Sequence, residues 1–222
     1  MLNFWLFLAV LLIAADWIAV WQEWRKINYL TKPTALLLLS IWFWTVSVPV
    51  GPTLWFGLGL FLSLVGDVFL LFPYRYFMYG WAAFLIAQVA YVIGFNCCLP
   101  PISEYFWLLL CAQVCVWVFI IVGLVKNLSG NPTHRKMIIP MGIYAAAICA
   151  MLFSALWTLF RPDWTAPASG LAASGALLFL CSDILLALDR FAYPFPRARL
   201  WVRVTYHLGQ LALAAGAALF RY

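Results

Sequence analysis

Eight apolar runs fill most of the chain: about 3–22, 33–50, 53–72, 77–98, 104–125, 137–159, 167–188 and 200–220. A hydrocarbon core about 30 Å thick takes about 20 helical residues to cross, so each run predicts a transmembrane helix. Pro33, Gly51-Pro52, Pro73, Pro100-Pro101, Asn131-Pro132, Pro162 and Pro194/Pro196 fall between the runs and mark short connections between antiparallel neighbours. The period-two alternation of a membrane β-barrel is absent. The predicted fold is all-α: one polytopic membrane domain over residues 1–222. Only 9% of residues are charged, against roughly 25% in a soluble domain.

The loops orient the helices. Arg25, Lys26, Lys32, Arg75, Lys126, Arg135, Lys136, Arg190, Arg197, Arg199 and Arg203 fall on one side, and Arg161 and Arg221 on the other. Eleven against two is a strong positive-inside bias and predicts both termini on the non-cytoplasmic side. The first run has no Lys or Arg before its apolar core and a basic flank after it. It therefore reads as a first membrane helix rather than a cleaved leader. The net charge of +6 sits in these loops without a basic, aromatic-interleaved face, which argues against nucleic-acid binding.

Metal and disulfide chemistry find little support. Cys111, Cys115, Cys149 and Cys181 lie in apolar runs, Cys97 and Cys98 are adjacent, and no CxxC occurs. His134 and His207 are the only imidazoles, which excludes a multi-histidine metal site.

Against this apolar background the acids stand out. Asp67 lies inside SLVGDVFLLFP (63–73) and Asp183 inside LCSDILLALDRF (180–191). An ionised carboxylate at the centre of a membrane helix costs about 2.5–3.5 kcal/mol on insertion scales, so intramembrane acids mark functional sites. With the predicted orientation, Asp16, Asp67 and Asp183 each lie five or six residues before a cytoplasmic helix end, roughly 8 Å below the boundary. Ser40, Tyr144, Tyr206, His207 and Gln210 follow cytoplasmic helix starts, with Gln88 and Tyr91 somewhat deeper. The polar residues thus gather in one slab in the cytoplasmic leaflet, which predicts a polar cavity. Burial disfavours the charged form of a carboxyl, so one Asp kept neutral beside an ionised neighbour would suit general acid–base chemistry. The plainer alternative is that each Asp bonds another helix. Tyr144, Tyr206 and Gln210 are equally readable as inter-helix glue, and His207 as a proton carrier or an interior histidine. Arg75, Arg190 and Lys32 read as inside-facing anchors, or as holders of a lipid phosphate at the cavity mouth. GDVFLL (66–71) and SDILLA (182–187, with Ser182) form a short internal echo four helices apart.

At these residues the sequence resembles the lysoplasmalogenase family of YhhN-like multi-pass membrane proteins. The resemblance is carried by Lys32-Pro33, SLVGDVFLLFP, Met78-Tyr79-Gly80, AAFLIAQVAY (82–91), FRPDWTAP (160–167), GALLFLCSDILLALDRF (175–191), and Tyr206 with Gln210. It implies eight transmembrane helices and hydrolysis of the vinyl ether bond of lysoplasmalogens. The products would be a fatty aldehyde and glycerophosphoethanolamine or glycerophosphocholine. The expected partners are an alkenyl lysophospholipid and membrane lipids, and no cofactor is implied. Asp67 and Asp183 are the catalytic pair that the resemblance implies, with neither assigned as acid or base. Asp16, Lys32, Arg75, Gln88, Tyr91, Tyr144, Ser182, Arg190, Tyr206, His207 and Gln210 are the candidate substrate-binding residues. One departure is Gln88-Val89-Ala90-Tyr91, where the family often has H-x-x-Y.

The chemistry suits two carboxyls. Protonation of a vinyl ether at its β-carbon gives an oxocarbenium ion, as in glycoside hydrolysis. The main alternative is a proton-coupled carrier of a lipid or small amphiphile, although Pro residues sit mostly at helix ends rather than breaking paired helices. A retinal-type receptor would need an intramembrane lysine, and Lys32, Lys126 and Lys136 are all read as lying in or beside loops. The compact loops point to a bacterial inner membrane.

Overall fold

The computed structural model describes residues 3–72, 74–97, 102, 104–130 and 135–220. Pro73, Cys98, Pro100, Pro101, Asn131, Pro132, His134 and Arg221 lie outside the described residues. Among the described residues the chain forms eight long helices and no strand: α1 Phe4–Trp21, α2 Arg25–Val46, α3 Pro52–Leu71, α4 Phe77–Asn96, α5 Glu104–Leu128, α6 Ile138–Trp157, α7 Ala166–Ala187 and α8 Ala198–Leu219. Six of them, α1 and α3–α7, are long and apolar enough to cross a membrane. The other two, α2 and α8, carry cations in their N-terminal halves: Arg25, Lys26 and Lys32, and Arg199 and Arg203.

The helix boundaries have local causes. Asn3 caps α1 by accepting from the Leu6 amide. Gly51, at φ 53°, turns the chain into α3, with Pro52 opening the helix. Helix α2 corrects an expectation. Lys32-Pro33 is not its start; the helix begins at Arg25 and runs through Pro33. Proline removes one ladder hydrogen bond, the one to the Tyr29 carbonyl, and the helix continues past it to Val46. Lys32 therefore sits two turns inside a helix. It is buried, not a loop residue.

Neighbouring helices pack as hairpins, most closely α7 on α8, α3 on α4 and α1 on α2. Helix α8 also touches α1, α2 and α3, and so closes the bundle. Helix α5 lies outside, against α6. The α7–α8 seam is made of small residues. A Cβ on Gly175 would come 2.6 Å from the Leu213 nitrogen, and one on Gly216 2.8 Å from the Ala168 carbonyl oxygen. Such backbone contact is how membrane helices associate by packing alone. Ser182 fastens the same seam by donating to the Val202 carbonyl over 3.0 Å.

The two ends of the bundle differ. Near the starts of α3 and α7, Phe56, Phe95, Trp164 and Phe220 interlock, with ring centroids 4.8 Å apart for Phe56–Phe95 and 4.6 Å for Trp164–Phe220. Arg161 is buried beside them, paired with Asp163 at 2.6 Å and bonded to the Phe95 carbonyl. The interior polar side chains gather toward the other end.

Candidate functional site

Three helices converge on Asp67. Lys32 from α2 places its ammonium 2.7 Å from Oδ1. Tyr206 from α8 donates its hydroxyl to Oδ2 over 2.9 Å. Asp67 is fully buried, and Lys32 also lies 5.5 Å from the centre of the Tyr206 ring. One helical turn further along α8, Gln210 Oε1 accepts from the Tyr91 hydroxyl of α4 at 2.8 Å. The rings of Phe84 and Phe179 meet Tyr206 edge-on and wall this cluster.

Asp183 has a different setting. Its Oδ2 accepts from the Tyr144 hydroxyl of α6 at 2.6 Å. Trp81 of α4 stacks on the Tyr144 ring at 5.0 Å and 13° and holds the phenol in place. Asp183 and Tyr144 line a cavity of about 70 Å³ between α4, α5, α6 and α7, whose other walls include Phe77, Ile120, Leu180 and Phe191. Arg190 stands at the cavity with its guanidinium 4.2 Å from the centre of the Phe77 ring.

Gln88 of α4 is fully buried and lies against the Tyr144 hydroxyl. Each aspartate is met from the helix that precedes it, Asp67 by α2 and Asp183 by α6.

Asp16 belongs to a third cluster. It is fully buried and accepts from Thr31 Oγ1 at 2.6 Å and from Arg203 Nη1 at 2.7 Å. Beside it, Trp17 donates its indole N–H to His207 Nδ1 at 3.1 Å. That bond assigns the ring hydrogen of a neutral His207 to Nε2. Asp16 and His207 brace α1, α2 and α8 and are not among the residues lining the cavity. Ser40 bonds back to the Leu36 carbonyl of its own helix. Arg75 stacks on Tyr76 at 4.7 Å, away from the cavity.

The structure thus brings together Lys32, Asp67, Tyr91, Tyr206 and Gln210, and separately Gln88, Tyr144, Asp183 and Arg190. The reading of Lys32 as an anchor is overturned by its salt bridge, and with it the argument that no lysine lies within a helix; the lysine found there is paired. Arg203, Thr31, Trp17 and Trp81 were missed. No local pattern marks them, because a tryptophan or a helix-start arginine in a membrane protein already has an interfacial explanation. Among the described residues, no group of three or more His, Cys, Asp or Glu side chains converges as a metal site would require.

Apolar spans with ionisable groups in their interior define an integral membrane protein with a polar internal site. Residues 27–217 match the sequence profile of the YhhN family. The chain belongs to the YhhN family. It is 34% identical over 205 residues to lysoplasmalogenase TMEM86B of Mus musculus, covering 90% of this chain and 79% of that protein. It is 31% identical to lysoplasmalogenase TMEM86B of Homo sapiens, over 85% of this chain and 74% of the relative. Similarity extends to a bacterial protein, the uncharacterized membrane protein YhhN of Escherichia coli, at 28% identity over 82% of this chain and 84% of the relative. No solved structure matches.

Proposed function

We propose that this chain is a lysoplasmalogenase, a membrane hydrolase that adds water across the vinyl ether of an alkenyl lysophospholipid. The products are a fatty aldehyde and glycerophosphoethanolamine or glycerophosphocholine. Relatives of that name across most of the chain support the reaction. The observation that carries the mechanism is the position of Asp183, a carboxyl on the wall of an otherwise largely apolar cavity, held by one phenol.

In this reading Asp183 is the general acid. Its carboxyl proton goes to the β-carbon of the vinyl ether, the double bond shifts toward oxygen, and an oxocarbenium ion forms. The resulting Asp183 carboxylate stabilises the cation and takes a proton from the attacking water. The hemiacetal then loses the glycerol oxygen as an alcohol and leaves the aldehyde. Tyr144 orients the carboxyl. Asp67 is a positioning residue in this reading: it pairs with Lys32 and Tyr206 and so fixes a cation inside the bundle. Phe77, Ile120, Leu180 and Phe191 offer the alkenyl chain apolar contact, and Arg190 meets the phosphate.

All eight helices cross the membrane in this proposal, with both termini on the non-cytoplasmic side and the polar layer in the cytoplasmic leaflet. The charges of α2 and α8 support this, since their interior members, Lys32 and Arg203, are paired to aspartates. The proposed location is a bacterial inner membrane.

Purified protein in detergent is given 1-alkenyl lysophosphatidylethanolamine beside its 1-alkyl and 1-acyl analogues. Aldehyde from the alkenyl lipid alone, lost in folded Asp183→Asn, supports the reading. No aldehyde from folded protein sinks it.

A further inference from the structure

The cavity that carries Asp183 holds about 70 Å³, far less than a lysophospholipid occupies. A lipid chain that meets Asp183 therefore leaves the cavity through one of its walls. Most of them are shut. On the α4 side Trp81 stacks on Tyr144, and Phe77 lies under the Arg190 guanidinium. On the inner side α7 meets α8 along their backbones, and Leu180 is buried.

The remaining side lies between α5 and α7. Helix α5 is held by α6: Gln113 donates to the Cys149 carbonyl at 3.0 Å, and the Phe106 ring meets Phe153 and Trp157 edge-on. Toward α7 it has nothing comparable. It packs along α6 and touches the π-helical turn Leu188–Ala192, and among the described residues no hydrogen bond, ion pair or ring contact joins α5 to α7. Ile120 and Leu124 of α5 and Ile184 of α7 line the cavity from the two sides. Ile184 is 36% exposed, and Leu177, two turns earlier on the same face of α7, is 51% exposed. The seam is thus apolar, open sideways and continuous with the cavity.

In a bilayer such an opening takes up a lipid chain, which is as apolar as leucine. The order along α7 fits one orientation of that lipid. Leu177 comes first, Asp183 and Ile184 follow, and Arg190 comes two turns later, about 10 Å along the axis. Chain, ether oxygen and phosphate follow one another in the same order in a lysophospholipid.

We propose that the substrate enters sideways from the bilayer between α5 and α7, with its alkenyl chain in the seam between Ile120 and Ile184 and its phosphate toward Arg190. The inference rests on the lysoplasmalogenase reading above. It makes Ile120 and Ile184 determinants of chain binding.

The test uses uncleavable 1-alkyl lysophosphatidylethanolamine carrying a diazirine in mid-chain. The protein is photolabelled with and without excess unlabelled 1-alkyl lysolipid, and adducts are mapped by mass spectrometry. Displaceable adducts are expected on segment 120–124 of α5 and segment 177–184 of α7. Displaceable adducts confined to other helices overturn the inference, as does labelling that excess lipid does not displace. Folded Ile120→Trp and Ile184→Trp are expected to raise KM for the alkenyl lipid by about 10-fold with kcat less affected, because the added ring fills the seam. Val122→Trp, at a position of α5 that is 61% exposed, keeps the wild-type KM. A wild-type KM in both seam variants overturns the inference as well. Displaceable adducts at the seam with no aldehyde from any alkenyl lipid overturn the hydrolase reading and leave the lipid seam standing.

Discussion

Lys32 and Asp67 form an ion pair of 2.7 Å, with their side chains 9% and 0% exposed. Tyr206 completes the shell of Asp67. A buried pair of this kind tolerates removal of both charges better than removal of one, since a lone survivor stays desolvated without compensation. Lys32→Met and Asp67→Asn singly are therefore expected to cost about 3–5 kcal/mol, and the double variant to recover most of it. Thermal unfolding in detergent reads the cycle. A double variant destabilised by the sum of the two single losses would show that the pair is not coupled.

Tyr144→Phe keeps the stack on Trp81 and deletes only the hydroxyl that Asp183 accepts from. The expected result is a loss of about 10- to 100-fold in kcat, in line with a hydrogen bond to an ionisable group, with little change in unfolding temperature. Full activity in this variant would remove Tyr144 from the mechanism.

The α7–α8 seam leaves no room for a side chain at Gly175, where a Cβ meets backbone atoms of Leu213 and Gly209 within 2.8 Å. Gly175→Val is expected to destabilise by about 1–3 kcal/mol or more through overpacking. Gly170, with open space around it, accepts alanine with a change of a few tenths at most. A matched pair of melting curves compares them.

Orientation is open to chemical labelling. With all six native cysteines replaced by Ser, a single thiol at Lys136→Cys is expected to react with a membrane-impermeant maleimide only from the cytoplasmic side. One at Asp163→Cys is expected to react only from the opposite side. The reverse pattern would invert the proposed topology and move the polar layer to the other leaflet.

Much of this architecture was legible in the chain because a membrane interior punishes exposed polarity. Runs of about 20 apolar residues have few alternatives to helices, and an acid within such a run calls for a partner. Asp67 and Asp183 stood out for that reason, as did Tyr91, Tyr144, Tyr206 and Gln210. Helix α2 was misread at Lys32-Pro33, because a proline reads as a boundary, whereas the helix runs through it from Arg25.

What the sequence by itself determined is the class of protein, the helices and the small set of polar side chains that have to find one another. Only the tertiary structure decided the pairing: Lys32 with Asp67, Arg203 with Asp16, and Tyr144 with Asp183. The pairs join residues 35, 187 and 39 positions apart along the chain. The physical reason is that charge and hydrogen-bond complementarity allow several matchings among the same residues. Which one forms depends on the rotation of each helix, and packing sets that, as where Gly175 and Gly216 let α7 and α8 touch along their backbones.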